Sequence, residues 1–352
     1  MNDITKIDKN FAVEAAEEDG LIFHSCLNTP FRVYGLLLPD EKTPYFHRMP
    51  QEIADTVSKS VGSLAQKCAG GRVRFRTDSK RVAIRCKLFN ISRSDHFPLT
   101  ATAGFDLYEG TDYVKTFRPS VSMEDGYTSE IAFGSAKMRE LTVNFPLYSG
   151  VVSLEIGLEE GAAIEEAAPY KIATPVVYYG SSITQGACAS RPGTCYQNII
   201  TRRMDCDYIN LGFSGSAKAE PEIAEYIAGL PMSVFVYDYD HNAPNLEHLR
   251  NTHERMFRTI RERNPELPVL MLSKPAWKLN EVWRKRRDVI MQTYLNARAA
   301  GDDKVWFVDG GSILNIFGGD NGTVDGTHPN NLGMMCMAKA IGDALSDILS
   351  RA

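Results

Sequence analysis

A serine between glycines, a histidine three residues after an aspartate and an asparagine in a polar turn are residue types that acyl transfer uses. This chain carries all of them. Gly180 to Gly186 read G-S-S-I-T-Q-G directly after the apolar run PVVYY; its glycines allow a sharp turn that can present the Ser182 hydroxyl beside free backbone N–H groups. A serine hydroxyl is a poor nucleophile near neutral pH and needs an adjacent base, itself held by a third group. Val324 to Pro329, V-D-G-T-H-P, offers both. Asp325 and His328 lie in a Gly- and Pro-containing turn, close enough for the carboxylate to orient the imidazole through Nδ1 while Nε2 faces Ser182. Imidazole suits the task because it changes charge near neutral pH.

The chemistry also needs donors aimed at the oxygen that becomes negative in the tetrahedral intermediate. N-L-G-F-S-G (Asn210 to Gly215) and D-Y-D-H-N-A (Asp238 to Ala243) are the candidate sources. Gly212 can turn its N–H inward and Asn242 can offer its side-chain amide, which with the N–H of Ser182 makes a three-donor oxyanion hole.

Such groups must come from different elements held at one end of a sheet. Beyond residue 170, short and nearly continuous apolar runs (PVVYYG, Tyr208 to Leu211, VFVYDY, PVLMLS, VWFVDG) alternate with long amphipathic segments. That pattern suits parallel strands buried on both faces and joined by crossover helices. Leu246, Leu249, Met256, Phe257 and Ile260 form one core-facing stripe, and Leu332, Met335, Ile341, Leu345 and Ile348 form another. The expectation for residues 170–352 is a three-layer α/β/α, flavodoxin-like domain with a five-stranded parallel sheet, its ligands beyond the carboxyl ends of the strands. Every block above sits at such an end.

From about Leu21 to Leu158 the period changes. RVRFRTD, RVAIRCKL, GFDLYEG, ELTVNFPL and VVSLEIGL are short runs rich in Val, Ile, Phe, Tyr and Thr. Two of them alternate apolar and polar residues as antiparallel strands do. Turn residues separate them at Gly70-Gly71, Asp78-Ser79, Glu109-Gly110 and Glu124-Asp125-Gly126. Residues 1–169 are expected to form an N-terminal β-sandwich of the jelly-roll kind, with the acidic, alanine-rich stretch from Glu159 to Pro169 as its linker.

The ordered blocks GSSITQG, NLGFSG, DYDHNA and DGTHP resemble the four signature blocks of the SGNH (GDSL-like) hydrolases, over essentially all of residues 171–352. C-A-S-R-P-G (Cys188 to Gly193) and GFDLY (Gly104 to Tyr108) resemble the bacterial subgroup with an N-terminal β-sandwich of the GxDLY type. The resemblance implies Ser182, Gly212, Asn242, Asp325 and His328 in the roles given above. The substrate class it implies is a small O-acyl ester, acetyl foremost, on a carbohydrate. Ser181 stands where the family has Asp, Asp240 where it has Gly, and Ala243 where it has Asp. Asp240 bears on the loop geometry and pocket polarity around Asn242.

Arg191, Asp240 and Trp277 are candidate substrate contacts. Arg191 could equally cap its own loop. Trp283 is expected in the core of its helix, and Asp238 and Asp240 as loop acceptors rather than an acid/base pair. His241, His248 and His253 cluster in sequence, but 248 and 253 do not share a helix face, so no metal is expected. No cofactor is needed.

The 352 residues, 43% hydrophobic and 24% charged with net charge -5, are those of an ordinary globular protein and give nucleic acid no basic stripe. The absence of a signal-like or membrane-length apolar run makes a cytoplasmic location the default and short imported oligosaccharides better substrates than polymer. The seven cysteines, odd in number and without CxxC pairs, are read as reduced thiols. Pairing of Cys188 with Cys195, and a homo-oligomer, are left open. Two other readings share these residues: a lipase- or thioesterase-type acyl hydrolase, and a non-catalytic carbohydrate-binding protein on the same scaffold. The intact Ser, Asp, His and Asn set argues against the second.

Overall fold

The computed structural model describes Asp8 and Glu18 through Arg351. Its N-terminal half holds β1 (Leu21–Ser25), β2 (Arg32–Tyr34), β3 (Arg72–Thr77), β4 (Arg81–Phe89), β5 (Phe105–Glu109), β6 (Asp112–Phe117), β7 (Gly126–Ala132), β8 (Arg139–Asn144), β9 (Gly150–Glu159) and β10 (Ile164–Glu165). All pair antiparallel, in one sheet ordered β1-β9-β4-β7 and a second ordered β10-β3-β8-β5-β6, with β2 added on β3. Alternate side chains from both sheets, among them Phe75, Ile84, Leu107, Val143 and Ile156, meet in one buried core. Because side chains alternate between faces, five of these strands are readable from pattern. The stretch expected to be a plain linker instead contributes β10, where Ile164 pairs with Thr77.

The second half is α/β. Strands β11 (Ile172–Gly180), β12 (Cys206–Gly212), β13 (Val234–Asp238), β14 (Val269–Leu272) and β15 (Val305–Val308) form a parallel sheet ordered β12-β11-β13-β14-β15. Residues 176 to 180 of β11 pair with both β12 and β13, so the chain leaves β11 where the direction of winding reverses. A crevice opens at the carboxyl end of such a strand. The turn that carries Ser182 begins there.

Each face of the sheet has its own core. One gathers Val176, Tyr178 and Leu270 with the helices Tyr196–Met204 and Asn331–Ser350. The other gathers Val177, Tyr179 and Phe235 with Pro221–Ala228, Leu246–Arg263 and Glu281–Ala299. Met49, Ala54, Val61 and Ala65, from the helical stretch between β2 and β3, also pack into this second core, so residues 49–65 depart from a simple division at 169. Phe97, Leu147 and Tyr148 join the first.

The helix Leu246–Arg263 buries Leu249, Met256, Phe257 and Ile260 as its stripe predicts. In Asn331–Ser350 the stripe is shifted: Leu332 and Met335 are exposed, while Met334, Met337 and Ala338 are buried with Ile341, Leu345 and Ile348. The error arose because this helix is apolar nearly all round at its start, where periodicity alone does not select a face.

Candidate active site

Gly180 ends β11, and a single helical turn, Ser182–Gln185, follows. Ser181 caps it, its hydroxyl accepting from the Ile183 N–H at 3.1 Å. The usual role of a serine at a helix start is therefore filled by the residue before Ser182. Gly186, at φ +105°, stops the turn in a conformation that side chains disfavour. Ser182 Oγ lies 2.9 Å from His328 Nε2, and His328 Nδ1 lies 2.7 Å from Asp325 Oδ2. The other Asp325 oxygen accepts the backbone N–H groups of Thr327 and His328 at 3.0 and 2.8 Å.

Burial is the largest single influence on Asp325 and pushes its carboxyl up. The His328 N–H, the imidazole and the Thr327 N–H together outweigh it and hold the group down to about 2. A lowered carboxyl pKa stabilises the fold above the ordinary value of about 3.9, and the stabilisation is lost as pH falls through the folded value. The stability gap between wild type and Asp325→Asn should be constant above about pH 5 and close below about pH 4. Thermal unfolding across that range checks it, and a gap that widens on acidification would refute it.

The turn is cross-braced to the two neighbouring blocks. The Asn210 amide donates to the Thr184 carbonyl at 2.8 Å, and Gln185 Oε1 accepts from the Ser214 N–H at 3.0 Å. Asn242 Nδ2 donates to the Phe213 carbonyl at 2.8 Å, leaving one further amide proton. Gly212 departs from expectation. Its N–H donates to Asn210 Oδ1 at 2.9 Å, so that donor is taken. Gly212 serves close approach instead: a Cβ there would stand 2.2 Å from the Gln185 nitrogen and 2.6 Å from the Thr184 carbonyl carbon. Gly215, at φ +68°, has open space around its Cβ position, and its N–H has no hydrogen-bond partner among the described residues.

These two glycines predict opposite outcomes. Gly212→Ala should displace the Ser182 turn and lose activity and stability together. Gly215→Ala should cost only the roughly 1 to 2 kcal/mol of a side chain in the left-handed region. Unfolding midpoints and ester turnover of the pair test this, and an inert Gly212→Ala would sink it.

A family model of the GDSL-like lipase/acylhydrolases matches residues 173–346, and one of the N-terminus of SGNH-type esterases, GxDLY, matches residues 21–164. The chain belongs to the GDSL-like, SGNH-type hydrolases. Among solved structures it is similar to a GDSL-like lipase from Bacteroides ovatus, 26% identical over 94% of this chain and 98% of that one, with a TM-score of 0.84. It is also similar to a salicylyl-acyltransferase from a tetracycline biosynthetic pathway, at 19% identity, 94% and 98% coverage and a TM-score of 0.76. An acetyl xylan esterase from the rumen bacterium Butyrivibrio proteoclasticus shares the fold at 11% identity, 94% and 99% coverage and a TM-score of 0.59. No curated protein sequence matches the chain.

Within this SGNH-type hydrolase the three candidate substrate contacts separate. Arg191 is occupied at the boundary between the halves: its Nη1 donates to Asp106 Oδ2 at 3.0 Å and to the Tyr108 hydroxyl, and its guanidinium lies 3.8 Å from the Tyr113 ring centre. The buried Asp106 also accepts the Gly193 N–H at 2.8 Å and the Asn144 amide at 2.8 Å. The GFDLY motif is thus the sandwich's half of a clamp on the CASRPG loop. Asp240 is 0% exposed and takes the Lys274 N–H at 3.1 Å, so it faces the protein rather than solvent. Burial raises its carboxyl to about 6, and burial together with the Asp240 charge also raises Asp238 well above the usual carboxylate range. Trp277 is half-buried and packs at the edge of the core, 3.8 Å from where a Cβ on Gly326 would stand, beside the Asp325 turn.

Trp283 is not in a core. It stacks on His241 with ring centres 5.2 Å apart and planes 9° off parallel, and Lys274 Nζ sits 4.0 Å over its ring. Burial, then the charges of Lys274, His328 and Arg286, lower the His241 imidazole to about 3. Two arginines that no pattern marked hold the donor loops. Arg286 donates to the Asp240 carbonyl at 2.7 Å and twice to the Ala243 carbonyl at 2.9 Å, which fixes the loop of Asn242 despite its unusual Asp240 and Ala243. Arg48, from the N-terminal half, donates to the Asn210 and Gly212 carbonyls at 3.0 and 2.6 Å. The sandwich also delivers Tyr148, whose hydroxyl donates to the Ser182 carbonyl at 3.3 Å, and His96, whose ring lies 5.9 Å from that of His328. The seven cysteines are free and buried. No helix among the described residues is long and apolar enough to cross a membrane.

Proposed function

We propose that this SGNH-type hydrolase is a serine esterase that removes small O-acyl groups, acetyl foremost, from carbohydrates. The observation that carries the reading is the unbroken relay from Ser182 Oγ through His328 to Asp325, with a two-point-anchored carboxylate behind it. Ser182 attacks the ester carbonyl as His328 Nε2 takes its proton. The imidazolium, oriented and compensated by Asp325, returns that proton to the departing sugar hydroxyl. Water then attacks the acyl-enzyme by the same route. The Ser182 N–H, the free proton of the Asn242 amide and the Gly215 N–H, in place of Gly212, are the proposed oxyanion donors. Each such donor is worth roughly 10²- to 10³-fold in turnover.

The structural likeness to proteins described as carbohydrate esterases supports naming a sugar ester. The N-terminal strand order, β1-β9-β4-β7 facing β3-β8-β5-β6, supports a jelly roll as the sandwich's topology. In this reading the region 170–352 holds the catalytic groups and the described residues of 1–169 form the sandwich, with 49–65 serving the catalytic core. Acetate release from a panel of acetylated oligosaccharides tests the proposal. Turnover of long-chain or thioester substrates with none of acetylated sugars would discard the substrate and keep the mechanism.

A further inference from the structure

The loop after the nucleophile and the loop between β4 and β5 converge on the catalytic imidazole. One ligand atom each from His96, Cys188 and His328 lies within 4.8 Å of the other two. Two imidazoles and a thiol are a donor set suited to zinc, which takes His nitrogen at about 2.0 to 2.1 Å and Cys sulfur at about 2.3 Å in a tetrahedral shell. Ligand atoms of such a shell stand roughly 3.3 to 3.8 Å apart, so the triangle must tighten by about an ångström. His96 is exposed on a stretch without helix or strand, so the tightening would fall on it.

A second feature points the same way. Metal-bound histidines hold a hydrogen bond to a carboxylate or similar acceptor on the nitrogen that does not bind metal. His328 Nδ1 already has Asp325 at 2.7 Å, and His96 Nδ1 has Ser94 Oγ at 2.7 Å and Asp95 Oδ1 at 3.2 Å. Both imidazoles thus keep Nε2 for the shared centre. His328 Nε2 is the atom that meets Ser182.

The geometry points to an inhibitory zinc site formed by His96, Cys188 and His328, with water in the fourth position. On binding, the Cys188 thiol gives its proton to solvent and the thiolate and two neutral imidazoles hold the ion. His328 Nε2 cannot hold zinc and accept the Ser182 proton together, so metal and catalysis exclude each other. The inhibitory consequence rests on the esterase reading, whereas the site does not.

Cobalt(II), used as a spectroscopic stand-in on the full chain, should give a thiolate-to-cobalt absorption band that zinc displaces. The band should vanish in Cys188→Ser, and His96→Gln should weaken binding at least about tenfold. Zinc should slow labelling of Ser182 by a fluorophosphonate at least tenfold, reversibly with a chelator. Measured against its own metal-free labelling rate, each variant should need at least tenfold more zinc for the same fractional slowing. Absence of the thiolate band in wild type, or equal zinc sensitivity in all three proteins, would overturn the site. A thiolate band in a protein that neither labels nor hydrolyses esters would sustain the site and defeat the esterase reading.

Discussion

Replacing Ser182 by alanine should lower kcat on an acetyl ester by roughly 10⁴- to 10⁶-fold while leaving KM within a few-fold. The hydroxyl is the atom that forms the bond, and nothing nearby can stand in for it. His328→Ala should cost about as much, and the double variant little more than either alone, because the two act as one unit and their losses do not add. The residual rate should come from the oxyanion donors, which neither change removes. Stability should hardly move, since Ser182 Oγ makes one hydrogen bond, to His328, worth about 1 kcal/mol. Steady-state kinetics with a chromogenic acetate, alongside denaturant unfolding, separates these effects. Equal rates for wild type and Ser182→Ala would end the triad proposal.

Asp106→Ala should destabilise the protein by about 3 to 5 kcal/mol, the range for removing one partner from a buried charge pair. That is a large share of the roughly 5 to 15 kcal/mol that holds a folded protein together. Asp106 is 0% exposed and collects Arg191, the Gly193 N–H and the Asn144 amide. Its loss takes the acceptor from the Gly193 N–H and the Asn144 amide and the countercharge from Arg191. The clamp also shapes the loop from Cys188 to Gly193, which leaves the Ser182 turn, so turnover should fall with stability. Urea unfolding of Asp106→Ala, Arg191→Ala and the double variant measures the coupling. If the pair is coupled as drawn, the double variant loses less than the sum of the singles. Strict additivity would show that Asp106 and Arg191 stabilise the fold independently.

The elements were legible where one rule decides. The five parallel strands are apolar runs of strand length, and five of the antiparallel ones are short runs rich in β-formers between turn residues, two of which alternate. Ser182, Asp325 and His328 could be singled out because they carry chemistry that few residue types supply and sit in turns at strand ends or between elements. Gly212 was misjudged for a local reason. Gly212 and Gly215 flank one short loop, and which N–H is spent on Asn210 depends on where that side chain turns. Trp283 was placed in a core because a large apolar ring on an amphipathic helix has that destination by default. Its actual partner, His241, comes from a strand end more than 40 residues away.

What the sequence by itself determined, then, is the alternation of elements, the strand ends and the residue types able to act there, since period and side-chain chemistry are local properties. The tertiary structure alone decided how those ends are held. Arg48, Arg191 and Arg286 are charged residues whose sequence surroundings suggest solvent, yet each is spent on a carbonyl, a carboxylate or a ring from a distant segment, and Asp106 on the guanidinium and N–H groups of one. Buried charges must find partners or pay for desolvation, and those partners exist only once both halves of the chain have closed around the turn that carries Ser182.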